Sequence, residues 1–455
     1  MKKTSITGRP KALLLFAIVA LCVTALFACN VAVPLPASPI AVTPNVPEEG
    51  TPVIPDGVDR TPNVMSSVQG IPQPTSVPII SVVLADGDLR LDQVTRENWV
   101  RSSVTIFGTD GGVILDGVGS QFKGRGNSSW SFPQKGYRFK LDAKCGLFGN
   151  APSKHWEIIA AANDPTYLIN YLAYSTVNEV LGYIEYTTSA NFVEVYVNGD
   201  YHGLYLLCEK VRVDTGRVDI ASEFGVLDTG YLIEYDNYAR ANGAVLGIDY
   251  FRTGRESYDE WGFTVKSPDP DDYRNEAFYQ LQVSFIQSYL ISVFEALEAF
   301  DWALVNRLID VNSFVDMCII RECFMNIDNG SFYLYKKPNN GKLYAGPAWD
   351  FDLSATGCQY ELDLYDETSL TVLFNPFFSL LLQFEEFNEL VKTRWATKSA
   401  ELEATIIRLV DAVEPLADVF LKSATRWDMP DILARQQELK EWLLNRMSFV
   451  FNYLA

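Results

Sequence analysis

Three carboxylates carry the chemistry this sequence offers: Asp328, Asp350 and Asp352, all within CFMNIDNGSFYLYKKPNNGKLYAGPAWDFDLS, residues 323–354. Two short strand-like runs, Phe332–Lys336 and Lys342–Ala345, flank Pro338-Asn339-Asn340-Gly341, and the aromatic content with the Asn-Gly signal predicts a β-hairpin. A hairpin brings its two ends together, so Asp328, before the first strand, should lie near Asp350, after the second. Asp352 follows two positions on, where an extended chain turns it the same way as Asp350. Like charges that close repel unless a proton or a cation neutralises them, and hard divalent cations take oxygen ligands. Asp-x-Asp alone says little, because surface carboxylates around hairpins are common. Here Trp349 and Phe351 should bury part of the loop and leave the acids facing inward, where uncompensated charge is costly. The pattern predicts a Mg²⁺-dependent phosphoryl-transfer site.

A second set of candidates lies upstream. Gly124, Arg125, Gly126, Asn127, Ser128 and Ser129 read as a flexible loop whose N–H and hydroxyl donors suit phosphate oxygens. In the strand that follows, Tyr137, Phe139 and Leu141 face one way while Arg138 and Lys140 face the other. A basic strand face beside a Gly/Ser loop is a plausible phosphate cradle; an ordinary turn before a solvated edge strand fits the same residues. Later, Tyr231–Asp236 reads as a strand with Glu234 and Asp236 on one face.

Composition narrows the classes. With a net charge of −20 and no basic run in the folded part, nucleic acid is not an expected partner. Only His155 and His202 are present, which excludes a multi-histidine metal centre, and neither sits near a nucleophile-elbow motif. His202 shares a strand face with Leu204, Leu206 and Cys208, and reads as a structural histidine. No Cys-x-x-Cys spacing supports zinc, and Cys145, Cys208, Cys318, Cys323 and Cys358 are expected as buried free thiols.

The N-terminus reads as an export signal: Lys2, Lys3, Arg9 and Lys11 precede an apolar run, Ala12 to Ala28. Leu26-Phe27-Ala28-Cys29 resembles a bacterial lipobox, which implies Cys29 as the lipidation site, residues 1–28 as a signal peptide and an extracytoplasmic, membrane-anchored lipoprotein; the competing reading of the same run is an uncleaved transmembrane anchor. Residues 29–77, rich in Pro, Thr and Val, read as a disordered tether.

The elements that must hold the acids follow from there. Residues 78–270 read as strand-rich: Ile79–Leu84, Trp99–Phe107, Val113–Leu115, Tyr137–Leu141, a hairpin of Asn191–Val197 and Tyr201–Glu209 across Asn198-Gly199, then Tyr231–Asp236 and Phe263–Pro268, with a helix over Asp164–Leu181. Residues 271–455 read as helical: Arg274–Phe300, a buried Val311–Met325, then Pro376–Leu390, Val391–Val413 and Met429–Leu454. Strands first and helices second predict an α+β fold of two lobes with a cleft between.

Five blocks carry a resemblance: Gly124-Arg-Gly-Asn-Ser-Ser129, Lys135–Leu141, Val197–Tyr205 with Glu209-Lys210, Asn326-Ile-Asp328, and Gly346-Pro-Ala-Trp-Asp-Phe-Asp352. In this order they resemble the CotH family, the spore-coat-protein-H-like atypical kinases. The resemblance implies a protein-kinase-like fold, ATP and Mg²⁺ as cofactors, and phosphorylation of Ser or Thr on secreted or cell-surface proteins. By position, Asp328 is similar to the catalytic Asp that orients the acceptor hydroxyl, and Asp350 to the metal Asp, with Asp352 beside it. Lys140 or Lys135 would be the ATP-phosphate lysine, Lys140 preferred, and Glu209 or Glu234 its positioning acid. Ser331 stands near the point where many members have a metal-binding Asn, a departure that weakens the case for a second metal ion. The same cleft could instead transfer AMP, or the domain could be a non-catalytic surface-binding pseudokinase.

Overall fold

Alternation along the chain produces a closed barrel. The computed structural model describes residues 75–85, 89–161, 163–355 and 369–454, side chains of 451–454 excepted. Seven strands, β1 (Ile79–Leu84), β2 (Val100–Phe107), β3 (Val113–Arg125), β4 (Gly136–Cys145), β5 (Ser153–Ile159), β6 (Ala190–Val197) and β7 (Asp200–Glu209), close in the order β1-β2-β3-β4-β5-β7-β6. Every neighbour is antiparallel except β1 and β6, which run parallel and seal the barrel. Closure leaves no edge among these strands. The inward positions, among them Val82, Ile106, Phe122, Phe139, Leu141, Trp156 and Val195, form one apolar core. The expected alternation of β4 holds, with Tyr137, Phe139 and Leu141 inside. Asn198 and Gly199 turn the β6–β7 hairpin at φ +52° and +90°, the left-handed geometry that a two-residue turn between twisted strands requires.

Two expectations change here. β3 runs through Gly124 and Arg125, so the loop begins only at Gly126. Gly124 is held in the strand by its neighbour: a Cβ there would come within 2.2 Å of the Trp130 ring. β5 (Ser153–Ile159), with His155 and Glu157, is absent from the strands expected from sequence, although Gly149-Asn150-Ala151-Pro152 supplies a turn before it.

A second sheet, of order β12-β11-β8-β10-β9, combines β8 (Tyr231–Asp236), β9 (Tyr250–Phe251), β10 (Gly262–Ser267), β11 (Phe332–Lys336) and β12 (Leu343–Ala345). The acid-bearing hairpin is therefore present, but β11 pairs with β8 from Phe332↔Tyr235 to Lys336↔Tyr231. The sheet thus draws on both sides of residue 270, and the division there into a strand-rich and a helical part holds by content only. The helices longer than one turn are α1 (Ile169–Val180), α2 (Ala277–Glu298), α3 (Trp302–Leu308), α4 (Val311–Cys323), α5 (Glu385–Asp411), α6 (Ala417–Trp427) and α7 (Ile432–Leu454). α5 crosses the break expected at residue 390, and α6 was not foreseen. α4 is buried almost all round, as its sequence predicts, and joins the second sheet and the helices in one apolar core.

The described residues belong to one compact unit, Ile54–Ala455. The signal segment, Cys29 and the tether up to residue 74 lie outside them, as does Cys358. The end of the expected tether is docked: Val77 is buried in the core and the Ser76 hydroxyl donates to Asp418. Cys145, Cys208, Cys318 and Cys323 are free and buried. Among the described residues no helix is long and apolar enough to cross a membrane.

Candidate active site

The two ends of the β11–β12 hairpin are stitched together beyond the strands by side chains and by backbone hydrogen bonds. The Asn326 amide donates to the Asp350 carbonyl at 3.2 Å, while its own carbonyl accepts the Asp328 N–H at 2.9 Å. Ile327 N–H donates to the Leu353 carbonyl. α1 fixes the second arm: the Tyr174 hydroxyl accepts the Asp350 N–H at 3.1 Å, the Asn170 side chain accepts the Phe351 N–H at 2.8 Å, and Trp349 stacks on Tyr174. α1 is itself set by buried Asp164, whose carboxylate accepts from the Thr166 and Ile169 N–H groups. From α4, Arg321 donates to the carbonyls of Asp328 and Asn326. Ser331 and Asp350 are held at φ +51° and +59°, sparsely populated for residues with side chains and retained only where surroundings impose them.

That framework brings Asp328, Asp350 and Asp352 to one cavity of about 1040 Å³. Asp350 and Asp352 hydrogen-bond each other, and the Ser331 hydroxyl lies within hydrogen-bonding reach of both Asp328 and Asp350. Burial, then the charge of Asp350, pushes Asp328 up to about 7, against the pull of Arg321. Burial, then Asp352, pushes Asp350 up to about 7 as well, and Asp352 is raised by burial and by Asp328. Carboxylates that resist ionisation this strongly call for a cation.

The acids share their wall with the second sheet. Glu234 and Asp236, on one face of β8 as the alternation predicts, line the same cavity, and so does Lys266 of β10. Lys266 Nζ lies 2.6 Å from Glu234 and 3.7 Å from Asp236. Burial pushes Glu234 up to about 7 against the pull of Lys266, with Asp236 adding to the rise; for Lys266 the two carboxylates outweigh burial and keep it charged.

The opposite wall is the outer face of the barrel. Cross-strand register places Lys123, Arg138 and Glu157 in one row of β3, β4 and β5, and Lys140 and His155 in the next. Lys210 and Arg212, just past β7, continue the surface. Arg138, Lys140, Lys210 and Arg212 make no ion pair among the described residues, and Arg138 and Arg212 each bury an Nε without a partner. Burial, reinforced by Arg138, lowers Lys210 to about 8. His155, buried among Arg212, Lys210 and Lys140, falls to about 2 and stays neutral. At the seam between the walls, Arg125 pairs with Glu157 at 2.9 Å and lies over Trp349, close enough to Asp350 and Asp352 to feel their charge.

Of the sequence candidates, Asp328, Asp350, Asp352, Arg125, Asn127, Ser128, Arg138, Lys140 and Glu234 all line this cavity. Lys135 and Glu209 do not. Lys135 Nζ is spent on the carbonyls of Trp130 and Phe132, closing the loop, and Glu209 is held by Arg217 at 3.3 Å with the Ser189 N–H. The acid that meets Lys266 is Glu234, so neither Lys140 nor Lys135 has the carboxylate partner expected for it. Glu157, Lys210 and Lys266 were missed as site residues. For Lys210 the signal was available, because it directly follows Glu209 in a quoted block; Lys266 and Glu157 depend on pairings that local sequence does not display.

Among the described residues no three His, Cys, Asp or Glu side chains form a ready-made metal cage. The donors still fit Mg²⁺, which usually takes one or two carboxylates and completes its shell with phosphates and water. Asp350 and Asp352 are such a pair: hard oxygen donors, adjacent and short of positive charge.

The family model for CotH kinase protein matches residues 122–450, well over half of the chain. The chain belongs to the CotH kinase family. Both walls of the cavity fall within the matched span, apart from its outer rim at Arg96, Glu97 and Trp99. No curated protein matches this CotH member.

Proposed function

We propose that this CotH-family chain is a phosphotransferase that moves the γ-phosphate of ATP to Ser or Thr hydroxyls of secreted or cell-surface proteins, and that it works outside the cytoplasm, tethered through lipidated Cys29. The observation that carries the reading is one cavity in which a wall of cations, four of them without an ion pair among the described residues, faces a wall of crowded carboxylates. Phosphoryl transfer needs that division of labour: cations on the phosphates, acids for the metal and the incoming hydroxyl. In this reading the barrel and the helical body correspond to the two lobes of a protein-kinase-like fold.

Arg138, Lys140 and Lys210 bind the triphosphate, with the Gly126–Ser128 loop donors beside them. Asp350 and Asp352 hold Mg²⁺, which when bound neutralises the phosphate oxygens. Asp328, whose carboxyl is raised to about 7, accepts the proton of the acceptor hydroxyl as its oxygen attacks the γ-phosphorus and ADP departs. Arg125, anchored by Glu157 where the walls meet, steadies the charge on the transferring group.

The test is label transfer by the full-length protein to a Ser/Thr-containing acceptor, with γ- and α-labelled ATP in parallel. Transfer from γ-labelled ATP alone supports the proposal. Transfer from α-labelled ATP would make the enzyme an AMP transferase, and no nucleotide binding at all would make it a pseudokinase.

A further inference from the structure

The wall of acids holds two carboxylate groups treated differently by the chain. Asp350 and Asp352 have no ammonium or guanidinium in ion-pair contact among the described residues. Glu234 and Asp236, on the neighbouring strand, share Lys266 at 2.6 and 3.7 Å. Asp236 is further fixed from both sides: its carboxylate accepts the Thr264 hydroxyl at 3.0 Å and the Tyr238 N–H at 2.7 Å. Lys266 is also the cation of this wall that faces the basic one, close enough to Arg138 for the two charges to oppose each other. An anion lying between the walls would therefore meet positive charge from both sides.

We infer that the Lys266 ammonium, clamped by Glu234 and Asp236, occupies the place of a second cation, so that the site takes a single divalent ion at Asp350 and Asp352 and contacts the phosphates from the acid side through Lys266. Two carboxylates that converge on open space recruit a divalent ion; two that share an ammonium are already largely neutralised, and the ammonium stands where a divalent ion would have to sit. The arrangement also explains how Ser331, a neutral hydroxyl with one weak ligand oxygen, suffices between Asp328 and Asp350. The inference rests on the phosphotransferase reading and deepens it: it sets the number of metal ions and adds a fixed phosphate contact.

The experiment is Mn²⁺ titration of the full-length protein by electron paramagnetic resonance at pH 8, with a non-hydrolysable ATP analogue present. The wild-type protein is expected to bind one Mn²⁺ per chain. Lys266→Met, which bares Glu234 and Asp236 without changing side-chain length much, is expected to bind two. Lys266→Arg, which keeps the charge, is expected to return to one and serves where the Met variant fails to fold. Two ions in the wild type, one in a folded Lys266→Met, or two in Lys266→Arg would overturn the inference. No Mn²⁺ in the wild type would overturn the phosphotransferase reading along with it, an outcome distinct from two.

Discussion

The two walls of the cavity are built in opposite ways. On the acid side the segments that carry the carboxylates are tied down, though Arg321 too buries an Nε without a partner: Asn326 ties the hairpin arms, Arg321 holds the backbone at Asp328, Tyr174 and Asn170 hold the segment after β12, and Lys266 fills the gap between Glu234 and Asp236. On the barrel side Arg138, Lys140, Lys210 and Arg212 make no ion pair among the described residues, and two of them bury an unsatisfied Nε. A rigid, buttressed wall suits chemistry, because a base and a metal pair must be held to a fraction of an ångström. An unpaired wall suits binding, because its hydrogen bonds remain free for an anion. The same difference predicts that substitutions on the two sides fail in different ways.

The largest effect belongs to the acids. Asp350→Ala or Asp328→Asn should lower the rate of label transfer by on the order of 10²–10³-fold or more, with the circular dichroism spectrum unchanged. Retained activity in either variant would break the assignment of chemistry to this wall.

On the barrel side the loss should be one of affinity. Arg138→Ala or Lys210→Met removes a charge-assisted hydrogen bond to phosphate of about 1.5–3 kcal/mol, so nucleotide affinity should fall by roughly 10- to 100-fold. Mn²⁺ should still bind. Lys135→Met is the contrast: its ammonium closes a loop outside the cavity, so nucleotide affinity should hardly move. A Lys135 effect on nucleotide affinity as large as that of Lys210 would erase the distinction between the walls.

The acid wall was readable in the sequence and the basic wall only in part, for a physical reason. Asp328, Asp350 and Asp352 converge because a hairpin joins them within a short stretch, and hairpin signals are local. Arg138 and Lys140 were readable because strand alternation is local too. What joins them to Glu157 and Lys210 is the pairing of β4, β5 and β7, set by barrel closure and not by any one strand. Glu209 shows the cost of reading a strand end alone: it directly precedes Lys210, but alternation turns it to the other side, where Arg217 takes it. Lys266 meets Glu234 only because β10 lies beside β8.

A buttress should matter less than what it supports. Asn326→Ala deletes the side-chain hydrogen bond across the hairpin and the local one to Asp328, and leaves the Asp328 N–H and the Asp350 carbonyl unpaired, a destabilisation of about 1–3 kcal/mol. The turnover rate should fall by roughly tenfold, with nucleotide affinity preserved. A fall in affinity with an unchanged rate would place Asn326 with the wrong wall.

The smallest effect is in stability against pH, and its sign follows from the acids alone. Asp328 and Asp350 are raised from 3.8 to about 7 in the folded protein. Between those values the folded state keeps protons that the unfolded chain has released, so these groups favour the fold at low pH and lose that contribution as pH rises through about 7. Glu234, raised to about 7, acts in the same sense. His155 and His202, lowered to about 2 and about 4, act in the opposite sense below about 6.5 and are silent above it. The informative measurement is therefore a difference: the thermal midpoint of the wild type minus that of Asp350→Asn, in EDTA, from pH 4 to 8. That difference should become steadily less favourable to the wild type as pH rises, because the amide cannot ionise into the repulsion. Mg²⁺ should remove most of the trend by supplying the missing positive charge. A difference that grew in favour of the wild type without metal would mean that Asp350 is already neutralised, and the contrast between an acid wall lacking charge and a basic wall lacking anions would fail.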